Sequence, residues 1–262
     1  MQKIYSNLID SHFHLQSMEH KGIESLSVLK QMEENHMAGG IDIGVDCDDL
    51  AERSKLVQDF PSIRLSAGIG PWGVEDGKPS LEEQMKTLVN QIDTYQVCAI
   101  GEIGLDYHWK YGTAEKQHRL LKSQIDLANS RNLPIILHNR KADQATLEII
   151  RNTKFAKGGL LHCFQGTEEL AFTAIKKGFY ISFAGPLTYK SNNLMREILA
   201  KLPINRILLE TDSPYLSPEP YRGQINTPLM ISHIYEKAAE VRAMSVEALA
   251  EQIQQNFQAF LS

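Results

Sequence analysis

LIDSHFHL, residues 8–15, is a short apolar run that closes on two histidines, and seven more runs of the same kind follow it. They are IDIGVDC (41–47), IRLSAGIG (63–70), VCAIGEIGLD (97–106), PIILHNR (134–140), GLLHCFQG (159–166), GFYISFAG (178–185) and RILLETDSP (206–214). Each is rich in Ile, Leu, Val or aromatic residues, with Gly, Asp, His or Pro at or near its end. Runs of this length read as strands buried on both faces, as in a parallel sheet. Helical periodicity fills the gaps. IESLSVLKQMEENH (23–36) spaces Ile23, Leu26, Leu29 and Met32 at helical offsets, and residues 114–129 do so with Leu120, Leu121, Gln124, Ile125 and Ala128. Ser80 with Glu83 three residues on forms a capping box. Ser245 precedes a last helix over 246–261. Eight successive βα units predict a (β/α)8 TIM barrel, one domain over residues 1–262. A doubly wound open sheet also alternates strands with helices, but gathers its chemistry at one switch point.

Composition agrees with such a domain. The chain has 262 residues, 42% hydrophobic and 23% charged, which excludes disordered, collagenous and low-complexity classes. Lys and Arg total 27 against 32 Asp and Glu, a net charge of −5, so no broad attraction to nucleic acid or anionic lipid is expected. No apolar run approaches the roughly 18 residues that span a bilayer. The opening MQKIYSNLIDSHFH lacks the basic and apolar regions of a signal peptide, and a cytoplasmic location is expected. Cys47, Cys98 and Cys163 are far apart and odd in number. They read as free, buried small residues, not as a disulfide framework or a thiolate zinc site.

The predicted strand ends carry the chemistry. His12 and His14 lie on strand 1, Glu102 on strand 4, His138 on strand 5, His162 on strand 6 and Asp212 on strand 8. In a barrel these ends converge on the face that holds the active site. His12 and His14, two apart on a strand, point to one side and can share a cation. A lone strand histidine is usually a satisfied core residue; the set is not so easily explained, because uncompensated imidazoles and carboxylates together are costly to bury. Four imidazoles and two carboxylates exceed one tetrahedral zinc. They suit two divalent ions about 3.5–4 Å apart with a bridging carboxylate.

DSHFHL, AIGEIGLDY, LPIILHNR, GLLHCFQG and LLETDSPYLSPEPYRGQINTP resemble, in order, the motifs of the TatD family of metal-dependent hydrolases, the TatD-like deoxyribonucleases of the amidohydrolase superfamily. The resemblance runs from residue 8 into the last helix, with its Asn256-Phe257 pair. It implies a TIM barrel with two divalent ions and a phosphodiester substrate. His12, His14 and Asp212 would then bind the first metal, His138 and His162 the second, and Glu102 would bridge them. Asp10 would support the site by orienting an imidazole; it could otherwise cap a turn. Asp106 is expected to be structural or to support a ligand from behind, and not to be a ligand itself. One departure stands out. The family has Gly-x-His-Pro at the end of strand 3, and here GIGPW puts Gly70 where that histidine would stand.

Trp72 and Trp109 could stack a base, though large aromatics are normally packed. Lys110, Arg140, Lys190 and Arg222 lie near the expected mouth, and Arg140 and Arg222 suit phosphate oxygens. The reading is a hydrolase of phosphodiester bonds, 3′-5′ exonuclease-like, in which two metals activate a water and Asp212 takes its proton, Glu102 being the other catalytic carboxylate. Its partners are DNA or another phosphoester, with no membrane and no obligate protein partner. Zn, Mn, Mg, Ni, Fe and Co all remain open for the metal. Two alternatives stand: a superfamily hydrolase of a small-molecule ester, amide or phosphoester, and a weakly active metal-binding barrel that works through a partner.

Overall fold

The computed structural model describes residues 5–109 and 111–262; Lys110 and the first four residues, on which part of the signal-peptide reading rests, lie outside them. Among the described residues eight strands run in parallel and pair in chain order: β1 (Ile9–Phe13), β2 (Gly39–Asp42), β3 (Ile63–Ala67), β4 (Ala99–Asp106), β5 (Ile135–Arg140), β6 (Gly159–Leu161), β7 (Phe179–Phe183) and β8 (Ile207–Leu209). Helices follow the strands and surround them, which makes a (β/α)8 barrel. Seven of the eight apolar runs hold their strand, and β2 starts two residues before its run at Ile41 and ends at Asp42.

The sheet closes between β1 and β8 by an unusual route. Ser11 Oγ in β1 donates to the Leu209 carbonyl at 3.0 Å, but the two backbones join only past the end of β8. The Asp212 amide donates to the His12 carbonyl at 2.9 Å and the His14 amide to the Ser213 carbonyl at 2.8 Å, and Phe13 bridges Ser213 in parallel. The seam of the barrel therefore runs through candidate site residues.

Local chemistry sets the helix ends. Ser80 Oγ accepts from the Glu83 amide while Glu83 Oε2 accepts from the Ser80 amide at 2.9 Å, a complete capping box at the start of Leu81–Thr94. Thr113 caps Ala114–Arg131 and Ser245 caps Val246–Leu261 more simply, each side chain accepting one amide, of Lys116 and of Ala248. Asn256, in that last helix, donates to the carbonyls of Ile204 and Ile207 at 2.8 and 2.7 Å and holds it against the start of β8. The strands are buried on nearly every residue, as expected where side chains fill the barrel inside and helices cover it outside.

One charged cluster is also buried. Arg53 donates from Nε to Asp42 at 2.8 Å and from Nη1 to Asp49 at 2.9 Å, and its other donors reach the Ser66 and Asp42 carbonyls. Asp42 also accepts the Leu15 amide at 2.9 Å. Burial of these ions is tolerated because every partner is present. The network pins the end of β2 to the turn that carries His14.

Three expectations shift. Glu102 does not end its strand; β4 continues to Asp106, with its pairing to β5 shifting register between Ile100 and Ile103. His14, His162 and Asp212 stand just past their strands. The three cysteines are free but only partly buried. Among the described residues no helix is long and apolar enough to cross a membrane.

Candidate metal centre

The six expected ligands meet in one cluster at the C-terminal end of the barrel. His12 Nε2 and His14 Nε2 face each other at 3.1 Å. Glu102 Oε2 stands 3.5 and 3.6 Å from those nitrogens, and Asp212 Oδ1 stands 3.6 and 3.4 Å from them. The other Glu102 oxygen, Oε1, is 2.6 Å from His138 Nδ1 and 3.1 Å from His162 Nε2, and these two nitrogens are 3.3 Å apart. His12 and His162 stack with centroids 4.0 Å apart. Each histidine pair thus meets a different oxygen of Glu102.

This donor set fits cations. Ligand atoms at about 2.0–2.2 Å from one tetrahedral ion stand roughly 3.3–3.6 Å from each other, close to the separations found. Three sets of donors lie within reach of a shared ion: His12, His14 and Glu102; Glu102, His138 and His162; and His12, His162 and Asp212. Two pairs of imidazole nitrogens pointing at each other gain nothing without a proton or a cation between them.

The surrounding residues aim the rings. His14 Nδ1 faces the Ile43 carbonyl at 3.4 Å, which leaves Nε2 free to bind. His138 turns Nε2 to Asp106 at 3.3 Å, and Asp106 in turn accepts the amides of His108 and Trp109 at 2.9 and 3.0 Å. His162 turns Nδ1 to Glu210 at 3.3 Å, and Ser182 Oγ donates to the second Glu210 oxygen. Carboxylates behind metal-binding imidazoles fix the tautomer and raise basicity. His12 differs: its Nδ1 is buried without a partner.

Electrostatics follow from this packing. Burial alone would raise the Glu102 carboxyl, but His162 and hydrogen bonds from His12, His138 and His162 hold it well below the usual range. Burial opposes charge on His162, yet Glu102 and Glu210 carry it well above an ordinary histidine. His14 and His138 also rise against burial through their carboxylates. Burial and the neighbouring His162 lower His12. Asp212 falls despite burial, held by His14 and the other imidazoles. The carboxylates thus favour positive charge on the imidazoles they face, and a cation bound by the same groups would displace protons.

Asp10 is placed differently from expectation. It touches no imidazole. Its carboxyl accepts the His12 amide at 3.3 Å, the Thr211 amide at 2.9 Å and the Thr211 hydroxyl at 2.6 Å, so it ties β1 to the segment after β8. Burial pushes it up to about 8. Asp106, expected to support the site and not to bind metal itself, holds the His138 ring. Glu210 was not expected at all; its signal is a buried acid directly after the apolar strand Ile207–Leu209.

Gly70 is explained by Trp72. A Cβ on Gly70 would lie 2.1 Å from the Trp72 ring. The indole donates to the Val45 carbonyl at 3.1 Å and meets His138 edge-on at 6.4 Å. An aromatic wall therefore stands where the family pattern has a histidine and this chain has Gly70. Arg140 is exposed with its guanidinium 5.4 Å from the centre of the Trp109 ring. Arg222 lies 4.4 Å from the Tyr189 ring, and Lys190 is exposed.

Comparison with known proteins agrees with this geometry. The family model described as TatD related DNase matches residues 9–262. The chain is 33% identical over 244 residues to the uncharacterized metal-dependent hydrolase YabD of Bacillus subtilis, covering 93% of this chain and 94% of that one. It is 30% identical over 213 residues to the 3'-5' ssDNA/RNA exonuclease TatD of Escherichia fergusonii, covering 79% and 81%. The crystal structure of YJJV, a TatD homolog from Escherichia coli k12, matches with a TM-score of 0.87 at 25% identity over 97% of each chain.

Proposed function

This chain belongs to the TatD related DNase family and is a metal-dependent hydrolase acting on ester bonds; from that premise we propose that it is a 3′-5′ exonuclease-like phosphodiesterase with two divalent cations. The observation that carries the reading is Glu102, which offers Oε1 to one histidine pair and Oε2 to the other. In this reading His12, His14 and Asp212 hold one cation, His138 and His162 the other, and Glu102 both. Bound cations of this kind acidify water and neutralise charge on phosphoryl oxygens.

The chain's own residues do the rest. Asp212 is the most open carboxylate of the cluster that faces the first pair, its side chain 12% exposed against 4% for Glu102. It stands where it can take the proton of an attacking water. Arg140, exposed at the end of β5, and Arg222, exposed in the segment after β8, hold phosphate oxygens with their guanidinium forks. Asp10, Asp106 and Glu210 keep the ligands in place. The relative named as an exonuclease on single-stranded DNA and RNA supports the choice of substrate.

The test is a panel of single-stranded DNA, duplex DNA, RNA and p-nitrophenyl phosphate mono- and diesters on metal-reconstituted protein. Oligonucleotides are expected to be shortened from one end. His12→Ala and His14→Ala are each expected to lose hydrolysis and to lower the metal content per chain. Wild-type turnover with full metal in either variant would refute the assignment.

A further inference from the structure

Exposed aromatic rings at the mouth of the barrel come with cations. Lys21 Nζ lies 4.4 Å from the centre of the Tyr215 ring, and the Arg140 guanidinium 5.4 Å from that of Trp109. The Arg222 guanidinium lies 4.4 Å from the Tyr189 ring. All three pairs lie on segments that follow strands at the C-terminal face: Lys21 after β1, Trp109 after β4, Arg140 at the end of β5, Tyr189 after β7, and Tyr215 and Arg222 after β8. Among the described residues none of these three cations has a carboxylate at ion-pair distance.

The three pairs differ in what they leave open. Tyr215 is 43% exposed and Trp109 is 51% exposed, so each ring has a face for a ligand. Tyr189 is half-buried, and its hydroxyl donates to the Ser217 carbonyl at 3.0 Å. That ring is a seat for Arg222 and offers no stacking face. The two open rings are linked to different histidines of the cluster. Tyr215 meets His14 with centroids 6.0 Å apart. The Trp109 amide donates to Asp106, which holds His138.

We propose that Tyr215 with Lys21, and Trp109 with Arg140, are two nucleotide subsites beside the cluster, and that Arg222 on Tyr189 is a site for phosphate alone. A base stacks on each open ring, and the cation beside it moves to the adjoining phosphate. The chemistry favours single strands: a stacked base must be unpaired, and the cations beside the rings match a phosphate next to each base. The identity of the ligand rests on the nuclease reading above; the placement of the subsites rests on the rings and cations themselves.

Binding of a hydrolysis-resistant phosphorothioate hexathymidylate to the metal-loaded enzyme tests this by fluorescence anisotropy, with one abasic position moved along the strand. In the wild type, two abasic placements are expected to weaken binding about 5- to 150-fold each. Tyr215→Ala should weaken the intact strand by a similar factor and abolish sensitivity at one placement. Trp109→Ala should do the same at the other, and Tyr215→Phe should keep the wild-type pattern. A ring that served only structure would give losses that add in full to the abasic loss, and that result, or tolerance of every abasic placement by the wild type, overturns the proposal. Cleavage of ordinary hexathymidylate is read separately. Binding with this pattern but no cleavage would refute the exonuclease reading and leave the subsites standing.

Discussion

Glu102 and Glu210 are both buried glutamates, yet they act at different depths of the centre. Glu102 faces all four imidazoles with its two oxygens. Glu210 faces one, from behind, with Ser182 on its other oxygen. Glu102→Gln keeps the shape but halves the binding oxygens and removes the charge, so metal content is expected to fall at both positions. Glu210→Gln leaves every ligand atom in place and is expected to weaken metal binding about 10- to 100-fold at the His162 position alone. Metal analysis of dialysed protein over a concentration series separates the two outcomes; loss of one metal in Glu102→Gln would make Glu102 a ligand to a single ion. The six ligand candidates were legible because histidines and acids are rare at the ends of apolar strands. Glu210 was not, because Asp212 two residues on already accounted for an acid in that run. Which acid faces the cavity and which faces a histidine from behind depends on backbone direction. Asp212 adopts φ +56, in the left-handed region that Asp tolerates better than most residues.

The segment after β3 shows how one element excludes a side chain. Gly70 has φ −65 and ψ 170, a backbone any residue can adopt. The demand for glycine comes from the indole of Trp72, packed against it and hydrogen-bonded to Val45. Gly70→Ala is therefore expected to cost about 1–3 kcal/mol through overpacking, read as a lower urea midpoint. Most of that loss should be absent in the Trp72→Ala background, where the colliding ring is gone. Equal losses in both backgrounds would place the strain in the backbone instead. The sequence revealed Gly70 as a departure, but the reason lies two residues later. A tight turn folds Trp72 back over its own strand end, and no periodicity reports that contact.

At the scale of the whole molecule, the balance of charge limits how a nucleic acid can bind. The net charge is −5, so the favourable contacts are local: the centre itself, with Lys21, Arg140 and Arg222 around it. Three neutralised phosphates on a single strand correspond to a slope of about −2 in log affinity against log salt. A protein with an extended basic track would show a much steeper one. The same argument predicts a preference for ends, where a few contacts suffice and a terminal base is free to stack. End-labelled linear single strands are expected to be degraded, and a closed single-stranded circle of the same sequence spared, over a salt series. Equal rates on the circle, or a steep slope, would reveal a basic surface that these residues do not account for.

The sequence by itself determined the barrel and its chemical face. Eight apolar runs, each with a polar or small residue at or near its end and separated by amphipathic segments, allow few arrangements other than eight βα units, and a closed barrel brings the runs' ends together. Burial of polar ligand residues in such runs is costly enough to mark them. Tertiary structure alone decided the rest. It showed that the barrel closes through the backbone of His12, His14, Asp212 and Ser213, beyond the end of β8, and that Asp10 ties that seam and touches no imidazole. It also set which oxygen of Glu102 meets which histidines and which mouth aromatics are paired with cations. These contacts join residues far apart in the chain, some by about two hundred positions. Their geometry follows from strand register and from how far each loop turns. Hydrophobic periodicity records which residues are buried, and carries no information on how two distant strand ends face one another.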